Sequence, residues 1–226
     1  MKVLIVEDER SFARELETFL TKEGYQCEVA YNGSEASEKI FVNAYDFILL
    51  DLGLPDYDGF ELLEEAKEEG QSASFIVLTA RGATGDKIKG LNMGADDYLP
   101  KPFSLLELAS RMNAITRRKH GLQKNVIKIH GFEMDIQNRS VNYGDAIVPV
   151  TKKEFDLLHY LALHKNKVLT RLQLTEHIWG EILEDDYESN YIDVHVKNLR
   201  KKLSEYGNCD FIETVRGIGY RVSMPK

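Results

Sequence analysis

The 226-residue chain has no long apolar segment. No uninterrupted run of Ala, Val, Ile, Leu, Met, Phe, Trp, Tyr or Cys exceeds four residues. A bilayer-spanning helix needs ~20 such residues and a secretory signal ~7–15, so neither is expected. There are only two cysteines, Cys27 and Cys209, far apart and in no metal or redox spacing. Two reduced thiols in a cytoplasmic protein are the expectation. The motifs G-x-x-x-x-G-K-[ST] and G-x-G-x-x-G are absent, so nucleotide use has no support. An excess of base is missing too: 29 Lys and Arg face 37 Asp and Glu, a net charge of −8. Taken whole, that balance argues against nucleic acid as a partner.

What is present is unevenly placed. Residues 1–120 hold 14 Lys and Arg against 22 Asp and Glu, while residues 121–226 hold 15 of each. The entire acidic excess lies in the first half. The length suits two modest domains, and such asymmetry gives them different partners. With 43% hydrophobic and 29% charged residues, the composition is that of ordinary globular protein.

In the first half, short apolar runs alternate with helical patterns. Val3–Val6, Cys27–Ala30, Phe47–Leu50, Phe75–Leu78 and Asp97–Leu99 read as strands. Phe12, Leu16, Phe19 and Leu20 mark a helix stopped at Gly24. Ala36, Ile40 and Phe41 mark a second helix, Phe60, Leu63 and Ala66 a third. Ile88 and Leu91 lie in a fourth, and Leu105, Leu108, Met112 and Ile115 in a fifth. Five such units predict an α/β fold with a parallel sheet and helices on both faces. Ligands of such sheets bind beyond the strands' carboxyl ends. There the sequence gathers Glu7, Asp8 and Glu9, then Asp51, Thr79 and Lys101. Clustered carboxylates suit Mg²⁺. A carboxylate beside a divalent cation can attack phosphorus, and Thr and Lys can hold the phosphoryl oxygens.

These residues, in the segments Val3-Leu-Ile-Val-Glu-Asp-Glu9, Ile48-Leu-Leu-Asp-Leu-Gly-Leu-Pro55 with Asp58-Gly59, Leu78-Thr-Ala80 and Lys101-Pro-Phe103, make residues 1–118 resemble a response-regulator receiver domain. The resemblance implies a flavodoxin-like (βα)5 fold with Asp51 as phosphoacceptor. It implies Mg²⁺ (or Mn²⁺) held by Glu7, Asp8, Asp51 and the Gly53 carbonyl, and phosphoryl contacts from Thr79 and Lys101. Thr79 and Tyr98 would form the switch, Tyr98 turning inward on phosphorylation; alone, Tyr98 reads equally as a packing aromatic. The Lys101–Pro102 bond would be cis. Gly53 departs from the bulkier residue, often Met, of many relatives. Lys87, Asp96, Asp97, Glu107, Arg111 and Arg118 match the face of fourth helix, fifth strand and fifth helix through which OmpR/PhoB-type receivers dimerise. A two-fold axis would pair Lys87 with Glu107, Asp97 with Arg111, and Asp96 with Arg118.

After a short polar linker, 119–125, the segments Val126–Ile129, Phe132–Ile136, Ser140–Tyr143 and Ala146–Val150 read as an antiparallel meander. Thr151 and Glu154 form a capping box for a helix burying Phe155, Leu158, Leu161 and Ala162. Thr170 caps another helix, with Leu172, Leu174, Ile178 and Trp179 apolar. An acidic loop, 181–188, follows. In the last helix Ile192, Val196, Leu199 and Leu203 make one core stripe. The opposite face carries Asn190, Val194, Lys197, Asn198 and Lys201, flanked by His195, Arg200 and Lys202. Such a face suits a DNA major groove, although a solvated Lys-rich face reads the same way from composition. Phe211–Val215 and Tyr220–Ser223 read as a hairpin with Arg216 at its tip, a shape that can enter a narrow minor groove.

Asp193-Val-His195, Leu199-Arg-Lys-Lys-Leu203 and Thr214-Val-Arg-Gly-Ile-Gly-Tyr220 make residues 126–226 resemble the α+β winged helix-turn-helix effector of the OmpR/PhoB family. That resemblance implies a recognition helix near 190–204. It adds phosphate contacts from Arg171, Trp179, His195, Arg200, Thr214 and Tyr220, and minor-groove insertion of Arg216. A core role for Trp179 remains open. Asn190 departs from the arginine common there. The 181–188 loop resembles the segment that contacts RNA polymerase, or is simply solvated. The expected function is that of a two-component response regulator. It would take a phosphoryl group from a sensor histidine kinase, form a homodimer and bind tandem half-sites in promoter DNA, with no membrane contact. The alternative is a metal-dependent phosphohydrolase with Asp51 as nucleophile, but such enzymes commonly carry an acid where Gly53 stands.

Overall fold

The computed structural model describes residues 1–80, 84–180 and 188–224, the side chains of 188–190 excepted. The chain divides into two compact units, Met1–Ile115 and Thr116–Lys226. No helix among the described residues is long and apolar enough to cross a membrane.

The first unit alternates β1 (Lys2–Val6), α1 (Arg10–Lys22), β2 (Gln26–Ala30), α2 (Gly33–Val42), β3 (Phe47–Leu50), α3 (Gly59–Glu68), β4 (Ser74–Thr79), α4 (Thr84–Asn92), β5 (Asp97–Pro100) and α5 (Leu105–Lys119). The strands pair in parallel in the order β2-β1-β3-β4-β5. This is the flavodoxin-like order, which reverses direction between β1 and β3. Every residue of β1, β3 and β4 is buried. Strand alternation sorts their side chains into two cores. Leu4, Val6, Ile48, Leu50, Phe75 and Val77 pack with Ile40, Phe60 and Leu63. Val3, Ile5, Phe47, Leu49, Ile76 and Leu78 pack with Leu16, Leu20, Leu108 and Met112. Each such side chain contributes about 1.5–3 kcal/mol by burial, which explains why uninterrupted apolar runs mark these strands. Period-3.6 patterns proved less reliable as signs of burial. Phe41 is 56% exposed, Ile88 55% and Leu91 41%, and α4 buries only Gly90.

The second unit takes in the last turn of α5. Sequence reasoning placed a linker at 119–125. Instead α5 stays helical to Lys119, and His120 Nδ1 lies 2.9 Å from the Leu163 carbonyl oxygen. Arg117 donates to Asn125 at 2.5 Å, so this segment is anchored within the second unit. Strands β6 (Val126–Ile129), β7 (Phe132–Asp135), β8 (Ser140–Tyr143) and β9 (Ala146–Val148) form the predicted meander. Two of them stop short of the predicted ends at Ile136 and Val150. Then come α6 (Lys152–Leu163), β10 (Leu169–Thr170), α7 (Arg171–Trp179), α8 (Glu188–Ser204), β11 (Ile212–Val215) and β12 (Gly219–Val222).

Both Thr151 and Thr170 close capping boxes, with Glu154 and Gln173 as partners. Of the apolar residues noted in α7, Leu172 is 49% exposed. The third sheet has the order β10-β12-β11. Its two-residue β10 went unpredicted, since a strand that short has no periodicity. Gly219 makes the pairing possible: a Cβ there would lie 2.0 Å from the Leu169 carbonyl oxygen and 2.9 Å from Thr170 Cα. Glu154 also accepts from Lys202 of α8 at 2.7 Å, with its own side chain only 4% exposed. The cap of α6 thereby fixes α8.

Two outcomes are expected. Trp179, the sole tryptophan, reports on the second unit alone. Gly219→Ala lowers that unit's urea stability, followed by Trp179 fluorescence, by about 1–3 kcal/mol through overpacking; an unchanged midpoint would refute the close approach. Burial works against ionised Glu154, but the Lys202 and Thr151 hydrogen bonds outweigh it and hold the carboxyl below its ordinary value. Its contribution is therefore complete above the ordinary carboxylate range and lost as pH falls through the lowered value. Glu154→Gln is expected to remove that part of the acid destabilisation and to cost ~1–3 kcal/mol at neutral pH. A variant with the native pH–stability profile would count against the tie.

Candidate functional site

The carboxyl ends of the parallel strands carry the first cluster. Asp51 follows β3, and its amide donates to the Val6 carbonyl at 2.9 Å. Lys101 follows β5, and its amide donates to Thr79 at 2.9 Å. The backbone thus brings Glu7, Asp51, Thr79 and Lys101 to one rim, at the point where strand order reverses. Lys101 Nζ lies 2.6 Å from Asp51 Oδ2 and 2.7 Å from Glu7 Oε2. Asp51 Oδ1 accepts from the Gly53 amide at 2.9 Å. Glu7 and Thr79 are 1% exposed and Asp51 is 7% exposed, whereas Asp8 is open to solvent. Burial pushes the Glu7 carboxyl up, against the lowering by Lys101. Burial also opposes the Lys101 charge, but the hydrogen bonds to Asp51 and Glu7 outweigh it and raise the ammonium above its ordinary value. The Lys101–Pro102 bond is cis.

A divalent cation fits these residues. Carboxylate oxygens of Glu7, Asp8 and Asp51 all lie within 4.8 Å of one another. They are hard oxygen donors, and the exposed Asp8 leaves a side open for retained water. Two neighbours shape the loop after β3. Gly59 is required because a Cβ there would lie 2.8 Å from the Asp51 carbonyl oxygen and 2.7 Å from Leu52 Cα. Asp56 ties the loop to the start of α2, accepting from the Gly33 amide at 2.7 Å, the Ser34 amide at 3.0 Å and the Ser34 hydroxyl at 2.7 Å. Those donors, the hydroxyl foremost, hold its carboxyl below the usual range. Sequence reasoning missed Asp56; its one signal is a position two residues before Asp58-Gly59.

Tyr98 lies inside the core with Phe60 and Phe75, 2% exposed. Its ring is already turned inward. On the ionic face, Arg111 bonds within its own chain to Asp97 at 2.8 Å and to Glu107 at 2.7 Å. Asp96 accepts from the Phe75 amide at 2.9 Å. Lys87 is exposed, as are the apolar Ile88, Leu91 and, at 70%, Leu106. Arg118 falls in the second unit.

In that second unit, α8 buries Ile192, Val196, Leu199 and Leu203 as predicted. Val194 is 52% exposed, and Lys197, Asn198 and Lys201 share its exposure. Asn190 and the loop 181–187 lie outside the described side chains. Several expected DNA contacts are engaged internally. Arg171 Nε meets Asp193 Oδ1 at 2.8 Å, and the Tyr220 hydroxyl donates to the same oxygen at 2.6 Å. Arg200 donates to the Ile212 carbonyl and, at 3.0 Å, to the Thr214 hydroxyl. Trp179 is half-buried, its ring 5.0 Å from His195 and 5.3 Å from Tyr191. Burial lowers the His195 pKa, and Lys153 adds to this against the pull of Glu154. Neutral imidazole is thereby favoured, a hydrogen-bond donor without charge. The β11–β12 hairpin turns through Gly217 (φ +74°) and leaves Arg216 exposed at its tip.

Comparison with known proteins agrees with both halves. The response regulator receiver domain matches residues 3–113, and the C-terminal domain of transcriptional regulatory proteins matches 144–222. The chain is 43% identical over 218 residues to the response regulator ArlR of Staphylococcus haemolyticus, covering 96% of this chain and 97% of that one. Among solved structures, the receiver domain of Francisella response regulator 1452 is 38% identical with a TM-score of 0.50, over 52% of this chain and 97% of the other. DrrB, an OmpR/PhoB homologue from Thermotoga maritima, is 28% identical over 98% of both chains, with a TM-score of 0.48. The phosphohydrolase alternative finds no support in these relatives. The chain belongs to the two-component response regulators of the OmpR/PhoB type, transcription regulators that join a receiver to a C-terminal DNA-binding domain.

Proposed function

We propose that Asp51 accepts a phosphoryl group from a sensor histidine kinase in the cytoplasm, and that the modified receiver dimerises and drives binding to tandem half-sites in promoter DNA. The observation that carries this reading is the Lys101 ammonium held between Asp51 and Glu7 at the carboxyl rim. Asp51 Oδ attacks phosphorus while the phosphorus–nitrogen bond to the kinase histidine breaks, its electron pair staying on the imidazole. Lys101 passes from the carboxylate to a phosphoryl oxygen, and the Thr79 hydroxyl donates to another. Glu7, Asp8, Asp51 and the Gly53 carbonyl would hold Mg²⁺ or Mn²⁺. A cation bound there neutralises the charge that develops during transfer.

No catalytic turnover is proposed beyond slow self-dephosphorylation. Thr79 and Tyr98 are the switch residues; with the Tyr98 ring already inward in the unmodified chain, phosphorylation would hold that arrangement rather than create it. Dimerisation is assigned to the face of α4, β5 and α5, where Ile88, Leu91 and Leu106 supply exposed apolar area. Around them Lys87, Asp96, Asp97, Glu107, Arg111 and Arg118 would set register. In the effector, Val194, Lys197, Asn198 and Lys201, with Asn190, would face the major groove. Arg171, Trp179, His195, Arg200, Thr214 and Tyr220 would contact phosphates, with Arg216 in the minor groove. The 181–188 loop would meet RNA polymerase.

Asp51→Asn is expected to abolish phosphoryl incorporation from a small-molecule phosphodonor, read by intact mass. Chelation of divalent cations should do the same to the native chain. Incorporation that survives either treatment would move the acceptor elsewhere. Affinity for duplex DNA should fall steeply with salt, by about 0.9 in log–log slope for each neutralised phosphate, and Arg216→Ala should make that slope shallower. A salt-insensitive affinity, measured by titration at several ionic strengths, would sink the phosphate-contact assignment.

A further inference from the structure

Arg171 and Tyr220 are assigned above to DNA phosphates, yet each is bonded to an acid of the chain itself. Three elements converge on it: Arg171 opens α7, Asp193 lies on α8 and Tyr220 on β12. Asp193 Oδ1 accepts from Arg171 Nε at 2.8 Å and from the Tyr220 hydroxyl at 2.6 Å, while Oδ2 accepts from Arg171 Nη2 at 3.2 Å. The guanidinium also lies over the Tyr220 ring, 5.2 Å from its centroid. A pair of anionic oxygens shared by a guanidinium and a hydroxyl is an arrangement that a phosphate satisfies equally well.

Donor capacity makes the overlap consequential. A phenol has one proton. While Asp193 takes it, Tyr220 has none to offer a phosphate. Arg171 keeps further N–H groups, but the carboxylate offsets its charge. The Asp193 side chain is 41% exposed and that of Arg171 24%, so solvent, and with it a phosphate, reaches the pair. Asp193 is also the one acid between Asn190 and Ser204. On a surface meant for a polyanion, a lone acid opposes loose association. Burial and the Asp193 bond push the Tyr220 hydroxyl up to about 12, so the shared proton stays on the phenol.

We propose that Asp193 is an internal stand-in for a DNA phosphate, engaging Arg171 and Tyr220 in the free chain and releasing them only to a backbone phosphate placed at the same point. The Tyr220 proton then leaves a carboxylate oxygen for a phosphate oxygen, and the guanidinium charge becomes available to the duplex. A duplex seated out of register wins neither, so the exchange suppresses non-specific binding. The proposal rests on the DNA-binding reading of this face.

The test compares the native chain with Asp193→Asn and Asp193→Ser, using two duplexes. One is enriched by the native chain from a random-sequence pool, the other is unrelated in sequence. Circular dichroism and thermal melting check the fold. The expected result is tighter binding of the unrelated duplex by the variants, a salt slope steeper by about 0.9, and a smaller preference for the enriched duplex. A folded variant that binds both duplexes more weakly, or keeps the native slope, overturns the proposal. Loss of fold in both variants also overturns it, since the carboxylate would then be a structural tie. A native chain that enriches no duplex from the pool overturns the DNA reading, and this proposal with it. That result is distinguishable because it shows before any substitution.

Discussion

The contact of the Lys101 ammonium with Asp51 and Glu7 is the interaction on which the receiver's geometry depends. Two carboxyls buried this close repel one another and lose hydration, at a cost of several kcal/mol per ion unless positive charge meets them. Lys101 supplies one such charge from a strand at the far side of β4, and the sheet order β2-β1-β3-β4-β5 makes the meeting possible. Every residue that fixes the rim serves that juxtaposition. The Val6 carbonyl holds the Asp51 amide, Thr79 holds that of Lys101, and Gly59 lets α3 approach the Asp51 backbone. A phosphoryl group on Asp51 would replace one anion by another of about −1.5 to −2 charge. The same ammonium is then drawn to the new oxygens, so the contact that stabilises the resting site also reports its modification.

The effector uses the same device for a different end. Four of its cations are paired inside the unit: Lys202 with Glu154, Arg139 with Asp156, Arg171 with Asp193, Arg221 with Glu213. Two of these pairs tie α8 to its neighbours, Lys202 to Glu154 of α6 and Asp193 to Arg171 of α7. The exposed Lys197, Lys201 and Arg216 present positive charge to solvent. A recognition helix needs its orientation fixed before its outer face can select anything, because base contacts discriminate only when phosphate contacts have set register.

Much of this was legible in the sequence because one physical rule dominated locally. The four-residue runs at Val3–Val6 and Phe47–Leu50 are strands since both faces of a parallel strand are buried. The rim residues follow from the strand ends, and the α8 stripe at Ile192, Val196, Leu199 and Leu203 from helical period. What escaped depends on distant partners. Strand β10 exists only because Gly219, some fifty positions on, lets its neighbour approach. Asp56 matters only where α2 begins. Ile88 and Leu91 have the spacing of core residues but lie exposed, because periodicity marks an apolar face and not what covers it. Lys119 and His120 read as the start of a polar linker, and the contacts of His120 with the Leu163 carbonyl and of Arg117 with Asn125 draw this segment into the second unit.

Net charge failed for a related reason. A total of −8 averages a receiver that needs carboxylates for a cation with an effector at zero. Within the effector, zero again hides a division, since acids such as Glu154 and Asp193 pair with bases of neighbouring helices while Lys197, Lys201 and Arg216 face outward. Asp193 shows the division most sharply. It adds a negative charge to the helix meant for a polyanion, a choice that net affinity alone would disfavour. What it secures is the placement of Arg171 and Tyr220 from two other elements against α8. Selectivity among duplexes is a difference of affinities, so a group that weakens every encounter but is displaced in the correct one raises selectivity while lowering attraction. The sign of a charge on a binding face therefore has to be read together with the partner it already holds.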